Sequence, residues 1–90
     1  MEPGEFALGR NFPNPFNPET TIPFSVGAAC RVRLAVYNLR GEEVAVPADG
    51  HLAAGLHTVR FDATGLPSGV YVVRMEAGNF FASRKVAVVK

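Results

Sequence analysis

"CRVRLAVYNLRG", Cys30 to Gly41, decides how the rest of the chain is read. Val32, Leu34 and Val36 alternate with Arg31, Arg33, Ala35 and Tyr37, and successive side chains on a strand point to opposite faces. One face is apolar and the other mixed, the pattern of a half-buried strand. "NLRGEE" then supplies a hairpin-type turn in which Gly41 is free to take a positive φ. A short strand around Val44 and Val46 follows.

The same period returns on both sides of this segment. "TTIPFSV" sets Ile22, Phe24 and Val26 on one face, and Pro23, which has no N–H to donate, predicts that this is an edge strand. "PADGHLAAG", residues 47–55, reads as a polar, glycine-bounded loop, and "LHTVRFD" puts His57, Val59 and Phe61 on one face. "ATGLPSG" is a turn cluster ending at Gly69. "VYVVRMEA" turns Tyr71, Val73 and Met75 inward, Gly78-Asn79 reverses the chain, and "FFASRKVAVVK" brings Val86 and Val88 inward. β-branched and aromatic residues fill the strands while Gly, Pro, Asn and Asp fill the gaps. The expectation is an all-β protein, an immunoglobulin-like β-sandwich of about seven antiparallel strands. Its expected core is Ile22, Phe24, Val32, Leu34, Val36, Val59, Phe61, Tyr71, Val73, Val86 and Val88. The Cys…Trp…Cys hallmark of antibody domains is absent, because the chain has no Trp and one Cys.

Ninety residues make one domain. Residues 1–7, with Pro3, Gly4 and two glutamates, read as a linker or as the start of a piece of a longer protein, and residues 8–90 as the sandwich. Hydrophobic residues make up 48% of the chain, enough for it to fold rather than stay disordered. The formal net charge of +1 arises from scattered residues, with no basic run longer than Arg84-Lys85. That argues against nucleic-acid binding. No apolar stretch is long enough to span a bilayer, and "MEPGEFALG" lacks the basic and apolar regions of a signal peptide.

Candidate chemistry is sparse. A metal bound by His51 and His57 would need a third ligand, and Asp49 and Asp62 are the candidates nearby in sequence. His57 alternates with Val59 and Phe61, so a packed or half-buried histidine is expected instead. Glu42 and Glu43 are adjacent on a strand, point to opposite faces and cannot work as a paired acid and base. Cys30 cannot form an internal disulfide and stands beside Arg31 as a small packing residue. Ser25, Ser68 and Ser83 lack a nucleophile-elbow context. No catalytic residue, metal site or cofactor is therefore expected, and the chain reads as a non-enzyme.

"NFPNPFNPETTIPF", Asn11 to Phe24, holds four prolines, three asparagines and three phenylalanines. The block Asn14, Pro15, Phe16, Asn17 and Pro18 reads as a structural motif that fixes entry into the next strand and removes donors at a sheet edge. Phe12 or Phe16 is expected to tuck over an open end of the sandwich. A carbohydrate-binding or adhesion accessory module is the alternative function. It would need an aromatic platform, and Trp is absent, Tyr37, Tyr71 and Phe61 fall within strand patterns, and Phe80-Phe81 and Phe12/Phe16 are the remaining aromatics.

"LGRNFPNPFNPETTIPFSV", "VRLAVYNLRGEEV", "LAAGLHTVRFDATGLPSGVYVVRM" and "RKVAVVK" together resemble the type A C-terminal sorting domain of the type IX (Por) secretion system, a family close to the Ig-like domain of the flagellar hook-capping protein. The resemblance runs in order from Leu8 to Lys90. It implies a non-catalytic module that directs a larger exported protein, such as a glycoside hydrolase or peptidase, through the outer-membrane secretion machinery. A sortase-like enzyme and surface lipopolysaccharide are the further partners it implies, and the outer-membrane surface or the extracellular medium is the destination. The sorting signal it implies lies in the last strands, at Gly69, Val70, Tyr71, Lys85, Val86, Val88 and Lys90. Phe80-Phe81 is more apolar than the family pattern, and Cys30 is unusual for it.

Overall fold

The computed structural model describes residues 5–90, and among these there are seven strands and no helix. They are β1 (Ala7–Leu8), β2 (Glu19–Val26), β3 (Cys30–Tyr37), β4 (Glu43–Leu52), β5 (Gly55–Asp62), β6 (Gly69–Ala77) and β7 (Phe80–Val88). Of the expected linker, residues 1–4 lie outside the described residues; Ala7 already pairs with Ser25 and Phe6 packs against the core.

All pairings between the named strands are antiparallel, and they form two sheets, β1-β2-β5 and β4-β3-β6-β7. This is a β-sandwich. An antibody constant domain keeps its fourth strand beside its fifth; here β4 pairs with β3 instead. The turn between them explains the choice. The Asn38 side-chain carbonyl accepts from Arg40 N and Glu42 N, each at 3.0 Å, and Gly41 takes φ 84°, so the chain reverses on the spot.

Apolar faces of the two sheets meet in one core. Phe24, Val26, Val32, Leu34, Val36 and Met75 are among its fully enclosed members. Every expected core position is buried except Val59, which is half-buried and packs against the core from β5. Fully burying one such side chain contributes roughly 1.5–3 kcal/mol, so the period-two pattern and the packing are one fact.

Two sequence expectations need correction. β2 is the middle strand of its sheet, not an edge. Pro23 fits there because strand N–H and C=O groups of one residue project to the same side. The Pro23 carbonyl accepts from Gly9 N at 2.8 Å, so its missing N–H faces the short β1 side and the ladder to β5 is intact. The expected loop at 47–55 is mostly strand, since β4 runs on to Leu52. Val46 and Pro47 together stand opposite the single Ala35, a bulge that absorbs the proline. Beyond it, Asp49 pairs with Arg33 in register and reaches Arg31 at 3.0 Å. Backbone pairing at a solvated edge needs no apolar alternation.

Candidate functional site: the last hairpin and the proline segment

β6 and β7 form a hairpin in continuous register, and it gathers the candidate residues. Gly69 stands opposite Val88, Val70 opposite Ala87, Tyr71 opposite Val86 and Val72 opposite Lys85, while Lys90 lies just past the strand end. The alternation divides them. Tyr71, Val86 and Val88 are buried; Val70, Lys85 and Lys90 are exposed. Only the second group is accessible from outside while the sandwich stays folded.

The start of the hairpin is set by two local features. Gly69 has φ 155°, a conformation that residues with a Cβ rarely adopt, although a Cβ there would meet nothing within 4 Å. The backbone angle, not crowding, requires glycine. Two residues on, the Tyr71 hydroxyl donates to the Pro67 carbonyl at 2.6 Å, a tyrosine corner of the kind found in immunoglobulin-like sandwiches.

The proline segment is tied down at each turn. Phe12 and Thr21 exchange backbone hydrogen bonds of 3.0 Å. Buried Asn11 donates to Thr20 Oγ1 at 3.1 Å, and Thr20 Oγ1 donates to the Pro13 carbonyl at 2.8 Å. The Pro18 carbonyl accepts from Ala63 N at 2.8 Å at the exit. The Phe12–Pro13, Asn14–Pro15 and Asn17–Pro18 bonds are cis.

Between these anchors the segment crosses to the other sheet and covers the end of β7. Phe16 N donates to the Ala87 carbonyl and Val89 N donates to the Phe16 carbonyl, both at 3.0 Å. The Asn14 side-chain carbonyl accepts from Ala87 N, also at 3.0 Å. The Phe16 ring is 2% exposed and meets Phe61 edge-on at 5.7 Å, whereas Phe12 is 57% exposed. Phe16 therefore closes the sandwich end. The expected structural motif and the expected signal strand are one assembly, joined across more than seventy residues. Sequence spacing carries no mark of that juxtaposition.

Arg84 sits in the middle of the same strand, opposite Val73. It is an inward-pointing charge on an edge strand, and its Nε donates to the Leu8 carbonyl at 2.7 Å, bridging the two sheets. On the outer face, Tyr37, Leu39, Val72 and Phe81 line a shallow groove of about 650 Å³, with the Arg74 guanidinium 5.2 Å from the Phe81 ring centre. Phe80 turns inward and stacks on Phe6 at 5.7 Å. Away from the hairpin, His57 is half-buried, stacks on Phe24 at 5.4 Å and sets Nε2 within 2.8 Å of the Ala53 carbonyl. No group of three or more His, Cys, Asp or Glu side chains able to hold a metal occurs among the described residues.

The model of the secretion system C-terminal sorting domain matches residues 10–90 of this chain, which takes in the proline segment and every strand from β2 to the final hairpin. No curated protein matches the chain.

Proposed function

Because the chain belongs to the family of secretion system C-terminal sorting domains, a signal for type IX export to the cell surface or the medium, we propose that it is the non-catalytic tail of a larger exported protein and also anchors that protein at the outer-membrane surface. The single observation that carries this reading is the family match over residues 10–90, which spans both the proline segment and the hairpin that it secures. A glycoside hydrolase or peptidase is the expected parent. The outer-membrane translocation machinery, a sortase-like enzyme and surface lipopolysaccharide are the expected partners.

The hairpin is proposed as the recognition element, with Gly69, Val70, Lys85 and Lys90 available on the folded surface and Tyr71, Val86 and Val88 holding the strands that present them. The test fuses the chain to a reporter carrying an inner-membrane export signal, in cells with a type IX system. Lys85→Gln with Lys90→Gln leaves the core untouched, and circular dichroism checks that the fold is kept. Surface delivery is expected for the wild-type tail and loss of delivery, with the reporter retained in the periplasm, for the double variant. Delivery of the variant at wild-type levels would place recognition elsewhere on the sandwich, and failure of the wild-type tail would refute the sorting reading.

The glycan-binding alternative has less to stand on. Phe16, Phe61 and Tyr71 are buried, which removes three of the aromatics that a platform would use. Calorimetry with xylan or cellulose is expected to give no dissociation constant near or below about 1 μM, roughly −8 kcal/mol.

A further inference from the structure

The edge of β7 is only half covered. Ala87 uses its outward N–H and C=O on Asn14 and Phe16. Outward-facing backbone groups recur every second residue along a strand, and the β6–β7 register is unbroken from Gly69–Val88 to Ala77–Phe80. Ser83 and Lys85 therefore also turn their N–H and C=O groups outward, and among the described residues no hydrogen bond engages those groups. They face a groove of about 710 Å³ whose other wall is the proline segment, at Arg10, Phe12 and Asn14.

Charge says what would lie there. Arg31, Arg33, Arg40, Arg60 and Arg74 each stand beside a carboxylate. Arg10, Arg84 and Lys85 have no such partner among the described residues, all three line this one groove, and none of the described acidic residues lines it. Edge-to-edge pairing with a second copy would set Arg84 and Lys85 against like charges, which is disfavoured.

We propose that the open half of the β7 edge is a docking groove for an extended acidic peptide of a partner protein, added as a further strand. The backbone groups of Ser83 and Lys85 supply four main-chain hydrogen bonds, and the three cations select carboxylates. The bound strand is short, because the Asn14–Phe16 contacts block the edge at Ala87. The groove's place in export rests on the sorting reading; the binding itself does not.

The test titrates the isotope-labelled chain with an acetylated, amidated Val-Glu-Val-Glu-Val peptide. Backbone amide shifts are expected at Ser83, Arg84 and Lys85 at or below about 1 mM peptide, the level of roughly −4 kcal/mol. The fully N-methylated peptide, with the same charges and no donors, is expected not to bind. Arg10→Glu with Lys85→Glu, both on exposed side chains, is expected to weaken the acidic peptide at least tenfold and to favour Val-Lys-Val-Lys-Val. The inference is overturned by an absence of shifts, by shifts centred on the Tyr37–Phe81 face, or by equal binding of the N-methylated peptide, which would indicate an anion site only. Export is then read separately with the reporter. Failure of the wild-type tail counts against the sorting reading; normal delivery by a tail carrying Arg10→Glu alone, which keeps Lys85, counts against a role for the groove and leaves sorting intact.

Discussion

Phe12 and Phe16 belong to the same proline-rich segment, yet replacing each with alanine is expected to have very different consequences. Phe16 is 2% exposed, contacts Phe61 edge-on and closes the sandwich end. Its two backbone bonds, to Ala87 and Val89, do not depend on the side chain. The loss is therefore the transfer term plus the cavity left under the proline loop. Phe→Ala in cores costs about 3–5 kcal/mol, and the retained backbone bonds argue for the lower half, about 3–4. For a domain of this size, 1 kcal/mol moves Tm by roughly 4–8 °C, so a fall of about 12–30 °C is expected. Phe12 is 57% exposed and touches the fold mainly through its backbone; Phe12→Ala should stay within about 0.5 kcal/mol of wild type. Urea unfolding followed by circular dichroism measures both. A cost below about 1 kcal/mol for Phe16→Ala, or equal costs for the two variants, would refute the assignment of Phe16 as the closing residue.

Three further outcomes are expected. Tyr71→Phe removes the 2.6 Å bond to Pro67 and should cost about 1 kcal/mol in the same assay, since the Pro67 carbonyl is left for water to solvate. Gly69→Ala should destabilise by about 1–3 kcal/mol from its φ of 155° alone, whereas Gly50→Ala, with open space and no positive φ, should be neutral or stabilising by up to about 1 kcal/mol; equal effects would remove the backbone argument. Hydrogen bonds from the Thr64 hydroxyl and amide, with Lys90 nearby, hold the Asp62 carboxyl below the usual carboxylate range. Its stabilising contribution is thus present above the ordinary carboxylate pKa and lost as pH falls through the lowered one. NMR titration should show Thr64→Val moving Asp62 upward, and an unmoved Asp62 would contradict the assigned cause.

What was legible in the sequence follows the physics of each element. Strands with one buried face announce themselves, because burial forces every second residue to be apolar; Ile22, Val32, Leu34, Tyr71 and Val86 are all where the alternation puts them. β4 beyond Val46 was illegible because its residues Ala48 to His51 are joined to β3 by backbone bonds at a solvated edge. Pro23 misled for a related reason. A missing N–H excludes one side of a strand only, and a single sequence does not say which side is already short of partners. The candidate hairpin was visible as two strands and a turn, while its closure by Asn14 and Phe16 depends on tertiary contact alone.

That closure ties the fate of the two chain regions together. The amides of Phe16 and Val89 hang on each other's neighbourhood, so they belong to one cooperative opening unit, and hydrogen exchange should protect and release them together. Trimming by a carboxypeptidase past Ala87 would unseal residues near the opposite end of the sequence, exposing Phe16 to solvent and residues 11–18 to attack by an endoprotease. Contacts of such sequence separation also raise the contact order of the fold and slow the folding of the domain as a whole.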